Sequence, residues 1–187
     1  MKIGIFGGTF DPIHIGHIIS VFEVKISFGL DKVIFIPARQ SPHKETMPTG
    51  NTERLDMIHK AIARFECFSL DTFELNRDGK SFTYDTAKYL RDKYPHDELY
   101  FLMGTDQYES FDKWYKHDEL ISMMNFIVMM RHSDDMEISA PFIRADQLVV
   151  EVSSTLVRKR IKEGLPYKHF LNEDVYEYNK ENALYEA

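Results

Sequence analysis

A doubly wound α/β fold, with a parallel sheet covered by helices on both faces in a single domain, is the fold class this sequence predicts. Three observations carry it. Short apolar runs alternate with longer segments of helical periodicity. The runs are too continuously apolar to leave one face in water. A length of 187 residues with 43% hydrophobic content fits one globular core. Alternation of this kind requires crossover connections, and these make neighbouring strands parallel.

The elements follow in order. Residues Lys2 to Phe6 read as a first strand, ending in the turn Gly7-Gly8-Thr9-Phe10-Asp11-Pro12. A helix from about His14 to Phe28 follows, with Gly29 as its stop. Val33 to Ile36 is a second strand, and the polar stretch from Pro37 to Gly50 is a loop. Asn51 or Thr52 caps a helix that carries Leu55, Ile58, Ile62 and Phe65 on one face. Phe68 to Phe73 forms a third strand, and Asp78-Gly79 a turn. A helix over Thr83 to Tyr94 is stopped by Pro95, and strands over Leu99 to Met103, Asn125 to Met130 and Leu148 to Val152 complete the sheet. Ser153 opens a helix through Lys162, and Asp174 to Lys180 forms the last. In such a sheet a ligand sits beyond the carboxyl ends of the strands.

Composition narrows the function. Lys and Arg total 23 against 30 Asp and Glu, a net charge of −7, so the chain lacks the positive face of a nucleic-acid or membrane-surface binder. A single cysteine, Cys67, excludes a disulfide framework and a cysteine-built zinc site; between Phe65 and Phe68 it reads as a small buried hydrophobe. Membrane spans need ~20 apolar residues and none is present, nor does the sequence open with a cleavable leader, so a cytoplasmic location is expected.

Chemistry concentrates at two places. After the first strand, Gly7 and Gly8 allow the backbone to bend close to a phosphate chain, and the helix start behind them offers unpaired N–H groups. Neither the dinucleotide fingerprint nor the Walker lysine loop is present there. His14 and His17, three residues apart at the helix start, point to the same side. They can serve as caps, as two of the ligands of a zinc site that has no third, or as donors to a phosphate whose charge grows in a transition state. Near the other end, Ser153-Ser154-Thr155 can cap a helix or form an anion nest, with Arg158 one turn on as charged partner. Anion sites at the first and last strands suit a triphosphate lying across the sheet.

The run Gly7-Gly8-Thr9-Phe10-Asp11-Pro12 with His14-Ile15-Gly16-His17, together with Ser153-Ser154-Thr155-Leu156-Val157-Arg158, resembles the nucleotidyltransferase family with the His-Ile-Gly-His motif. The likeness covers nearly the whole chain and implies a Rossmann-like sheet. Aminoacyl-tRNA synthetases share the first motif, but this chain is too short and too acidic for them. Pro37-Ala38-Arg39-Gln40-Ser41-Pro42-His43-Lys44, the segment from Ser81 to Thr86, Gly104-Thr105-Asp106, Lys113-Trp114-Tyr115, Arg131 and the closing Asn182-Ala183-Leu184-Tyr185 resemble the bacterial nicotinate mononucleotide adenylyltransferases.

That resemblance implies transfer of the adenylyl group of ATP to nicotinate mononucleotide, giving nicotinate adenine dinucleotide and pyrophosphate. It implies that Gly8, Thr9, Phe10, His14, His17, Gly104, Asp106, Ser153, Ser154, Thr155 and Arg158 hold ATP, with His14, His17 and Arg158 catalytic. Lys44, Thr83, Trp114, Tyr115 and Arg131 would hold the mononucleotide. Mg²⁺ is expected to ride mainly on the ATP phosphates, with no protein metal site. Arg131 is followed by His132-Ser133, where the family more often has a Pro-Gly turn. Nicotinamide mononucleotide or phosphopantetheine as acceptor, or nucleotide sensing without turnover, are the alternative functions. A homo-oligomer is compatible with the sequence, which does not itself set the oligomeric state.

Overall fold

The computed structural model describes residues 1–39 and 49–187. Its six strands are β1 (Lys2–Gly8), β2 (Lys32–Pro37), β3 (Phe68–Leu70), β4 (Glu98–Gly104), β5 (Asn125–Met129) and β6 (Ile143–Ala145). All neighbouring strands pair in parallel, in the order β3-β2-β1-β4-β5-β6. Two successive half-sheets thus diverge from β1 and β4, and the gap between their carboxyl ends is the switch point where such sheets bind ligands.

Period-two alternation sorts the strand residues between two cores. Ile3, Ile5, Ile34, Ile36, Leu99, Phe101 and Val128 face one layer, which holds α3 (Thr83–Lys93) and α5 (His117–Met123) through Ala87, Leu90 and Leu120. Phe6, Val33, Phe35, Phe68, Leu102 and Ile127 face the other. There α1 (Ile15–Phe28), α2 (Asn51–Ile62), α6 (Ser154–Lys162) and α7 (Glu173–Glu181) supply Val21, Val24, Met57, Ile58, Val157, Ile161 and Val175. Burial on both faces explains why the strands read as unbroken apolar runs. Cys67 packs half-buried at the edge of this second core.

Local chemistry sets the helix ends. Gly29 ends α1 at φ 61°, the left-handed conformation that favours glycine. Asn172 caps α7 by accepting the Val175 N–H at 2.8 Å. A short helix α4 (Thr105–Glu109) follows Gly104 directly, and α4 and α5 have no counterpart among the elements expected from periodicity. Five and seven residues are too few to show a helical stripe.

Three expectations are corrected. The sixth strand is Ile143–Ala145 and not Leu148 to Val152. Residues 143–145 occupy the free edge of β5, and the Met130 N–H donates to the Ala145 carbonyl at 3.0 Å. The apolar run 148–152 therefore leaves the sheet, with Leu148 59% exposed. β3 is shorter than expected, because the Asp71 side chain accepts the Phe73 N–H at 2.9 Å and turns the chain away. In α2, Asn51 is the first helical residue, with Gly50 at the cap position; its side chain accepts from the Arg54 guanidinium at 2.9 Å instead of capping.

Candidate active site

The carboxyl ends of β1, β4 and β5 open into a cleft of about 930 Å³. Its floor is the loop from Thr9 to His14 and the start of α1, and its far wall is the extended segment 149–153 leading into α6. Gly16 allows these walls to meet: a Cβ there would lie 2.9 Å from the His14 ring and 3.1 Å from the Val150 carbonyl. The glycine between the two histidines thus makes room for His14 and for the wall opposite. Gly8 is equally constrained, since its Cβ would stand 3.1 Å from the Phe10 ring, which is buried beneath it.

His14 and His17 build the start of α1 together. The His14 N–H donates to His17 Nδ1 at 3.1 Å, and the His17 N–H donates to His14 Nδ1 at 3.4 Å. This is the reciprocal bonding of a capping box, made by two imidazoles instead of a hydroxyl and a carboxylate. The rings stack 3.7 Å apart, 22° from parallel. With both Nδ1 atoms accepting, the proton of each neutral ring sits on Nε2. Burial holds His14 down to about 4 and His17 well below its ordinary value, with the neighbouring His14 adding to the latter. Both rings are neutral at pH 7, so the arrangement that caps the helix also leaves each ring with a hydrogen-bond donor at Nε2.

The second motif is tied to the first. Ser153 caps α6 by accepting the Leu156 N–H at 3.0 Å, and the Ser154 hydroxyl donates to the Pro12 carbonyl at 2.8 Å. Arg158 donates to the Asp11 carbonyl at 2.7 Å and to Thr155 Oγ1 at 3.3 Å. Residues 142 or more positions apart are thereby fixed side by side along the cleft.

A second, smaller pocket of about 90 Å³ lies on the other face of the sheet. Gly7, Gly8, Thr9, Glu74, Ser81, Thr83, Thr86, Gln107 and Trp114 are among its lining residues. Trp114 is buried at 8% exposure, edge-on to Phe101 at 5.9 Å. Thr9 lines both spaces. They adjoin at the end of β1.

Of the residues expected to hold ATP, Thr9, Phe10, His14, His17, Gly104, Ser153, Ser154, Thr155 and Arg158 line the cleft. Gly8 lines the small pocket instead, and Asp106 points outward, 3.3 Å from Arg131. Of the expected mononucleotide residues, Thr83 and Trp114 line the small pocket. Tyr115 is 52% exposed, against Phe82 and Tyr84. Arg131 stands on the large cleft, and Lys44 lies outside the described residues. In place of a Pro-Gly turn after Arg131, the Asp134 carboxylate accepts the Arg131 N–H at 2.8 Å.

Two residues escaped the sequence reading. Arg54 is fully buried and donates to the carbonyls of Thr9 (2.8 Å), Ala38 (2.6 Å) and Thr49 (3.0 Å), stitching the loops around both spaces. Its signal was a charged residue in register with Met57, Ile58 and Ala61 on the buried stripe of α2. Glu74 had no signal, since the segment after β3 carries no helical or strand period.

Residues 5–160 match the cytidylyltransferase-like family. The nicotinate-nucleotide adenylyltransferase of Bacillus subtilis is 41% identical over 187 residues, covering 100% of this chain and 99% of that one. The chain belongs to the nicotinate-nucleotide adenylyltransferases, enzymes of this cytidylyltransferase-like family. A probable nicotinate-nucleotide adenylyltransferase of Oceanobacillus iheyensis is 40% identical over 98% of this chain and 96% of that one. Among solved structures, nicotinic acid mononucleotide adenylyltransferase of Plasmodium falciparum, complexed with APC, superposes with a TM-score of 0.81. That pair shares 20% identity, over 98% of this chain and 96% of the other, so the likeness is one of fold.

Among the described residues no helix is long and apolar enough to cross a membrane, and no three His, Cys, Asp or Glu side chains converge as a metal site would require.

Proposed function

We propose that the domain formed by residues 1–187 transfers the adenylyl group of ATP to nicotinate mononucleotide, releasing nicotinate adenine dinucleotide and pyrophosphate in NAD biosynthesis. The observation that carries this reading is the pair of spaces adjoining at Thr9. One is large and furnished with neutral imidazole donors; the other is small, about 90 Å³, with a tryptophan in its wall. Family membership supports the same pairing of substrates.

In this reading the triphosphate lies in the cleft, with its α-phosphate toward His14 and His17. The acceptor's pyridine enters the small pocket between Trp114 and Thr83, and its phosphate meets the α-phosphorus beside Thr9. A phosphate monoester loses its second proton near pH ~6, so the nucleophile is already a dianion and needs no general base. The P–O bond to the acceptor forms as the bond to pyrophosphate breaks. His14 and His17 donate from Nε2 to the α-phosphate oxygens, while Arg158 and the Ser153–Thr155 amides receive the charge of the leaving pyrophosphate. Holding both reactants in line is the larger part of the catalysis. Mg²⁺ fits as a passenger of the phosphates, because hard cations of this kind bind through substrate oxygens and water, and bound there it offsets phosphate charge. Arg131 lines the cleft, where its guanidinium can meet the acceptor phosphate, and Asp106, 3.3 Å from it, can accept a hydrogen bond from an ATP ribose hydroxyl. The net charge of −7 supports small-molecule partners over nucleic acid, and the reading places the work in the cytoplasm.

Pyrophosphate release with ATP, Mg²⁺ and a panel of acceptors tests it. At about pH 6 the acid mononucleotide is expected to exceed nicotinamide mononucleotide by at least about tenfold in kcat/KM, about 1.4 kcal/mol. Phosphopantetheine is expected to be inert. Equal use of the two mononucleotides would overturn the substrate assignment, and tight ATP binding with no pyrophosphate from any acceptor would favour a sensor.

A further inference from the structure

Glu74 follows the third strand and lines the small pocket with Ser81, Thr83, Thr86 and Trp114. In a space of about 90 Å³, a ring that enters lies close to this side chain. We propose that Glu74 is a specificity-determining residue, which discriminates the acid from the amide mononucleotide by its own charge. This inference rests on the substrate reading above. Uncharged, Glu74 can donate its proton in a hydrogen bond to a ring carboxylate; ionised, it repels that carboxylate and accepts from the NH₂ of a carboxamide.

The surroundings of Glu74 bring its ionisation into the working pH range. Burial pushes its carboxyl up to about 7, and Asp71 pushes the same way. The Ser81 and Thr86 hydroxyls and the Arg77 guanidinium pull against them. Both charged neighbours are themselves engaged: Asp71 pairs with Lys93 at 3.1 Å, and Arg77 with Asp85 at 3.3 Å. From the remaining walls, Gln107 and Trp114 bring no charge to the pocket.

The test is the ratio of kcat/KM for nicotinate mononucleotide to that for nicotinamide mononucleotide, followed against pH. Ionisations that both reactions share, the acceptor phosphate and ATP included, cancel in this ratio. With the wild-type protein the ratio is expected to fall about tenfold from about pH 6 to about pH 8.5, as a like charge appears a few ångströms from the carboxylate. In Glu74→Gln it is expected to be flat. A flat wild-type ratio, or the same fall in both proteins, would overturn the role of Glu74 while leaving adenylyl transfer standing. Should the variant not fold, the wild-type profile decides alone. No dinucleotide from either acceptor would overturn the substrate reading and this inference together.

Discussion

The Tyr185 hydroxyl donates to Asp11 Oδ1 at 2.5 Å, joining the last turn of the chain to the loop after the first strand. The same aspartate accepts the Thr49 N–H on its other oxygen at 3.1 Å and the Arg158 guanidinium on its carbonyl. Asp11 is buried, and burial together with this bond holds the Tyr185 phenol protonated far above its ordinary range. The C-terminal segment thus braces the loop on which Phe10, His14 and Arg158 depend.

Tyr185→Phe removes only the hydroxyl, so it tests that brace. Urea denaturation is expected to show a loss of about 1.5–3 kcal/mol, the usual cost of removing a hydrogen bond to a buried charged group. The KM for ATP is expected to rise severalfold while that for the mononucleotide stays unchanged. A stability and an ATP KM both matching the wild type would show that the contact contributes nothing.

His17→Ala is expected to keep the fold and to lower turnover at least ~100-fold, because a donor aimed at transition-state charge contributes a few kcal/mol. Circular dichroism with a pyrophosphate assay separates the two effects. Near-normal turnover in a folded variant would remove His17 from the chemistry.

Acid should weaken the fold through His14. Burial lowers its folded value to about 4, against an ordinary 6.5. Below about pH 6.5 the unfolded chain binds a proton that the native state refuses, so stability falls as pH falls, and the loss levels off below about 4. At full extent it is roughly 3 kcal/mol. Comparing urea midpoints of the wild type and His14→Gln at several pH values isolates this contribution. An acid loss of equal size in both proteins would contradict it.

Arg158→Ala should impair ATP more than the mononucleotide, since its guanidinium spans the Asp11 carbonyl and Thr155 on the wall of the large cleft. Titrating each substrate separately is the measurement. Arg158→Lys keeps the charge but cannot make both contacts, so an intermediate ATP affinity is expected. A loss confined to the mononucleotide would reverse the orientation of the two substrates.

What the sequence made legible follows from how local the determinants are. The glycine turn, the two histidines and the Ser153 cap act within a few residues of one another, and the structure has each where its local pattern implied. The sixth strand differs from expectation because a run of leucine and valines signals burial without saying what buries it; in the fold, residues 149–152 line the cleft and residues 143–145 take the sheet edge. Arg131 shows the same dependence on the fold. Its side chain is steered by Asp106 and Asp134, on the fourth helix and in the loop beyond the fifth strand, and no spacing in sequence encodes that choice. Arg54 and Tyr185 act across 45 and 174 residues of chain, where only the folded topology brings donor to acceptor.

Isotopic tracing of the adenylyl group tests the central claim most directly. The purified protein is given nicotinate mononucleotide, Mg²⁺ and ATP labelled at either the α- or the γ-phosphorus. Label from the α position is expected in nicotinate adenine dinucleotide, and label from the γ position in pyrophosphate, in equal amounts and only when the acceptor is present. Label from the α position remaining in ATP, or appearing in AMP without dinucleotide, would contradict adenylyl transfer at this site.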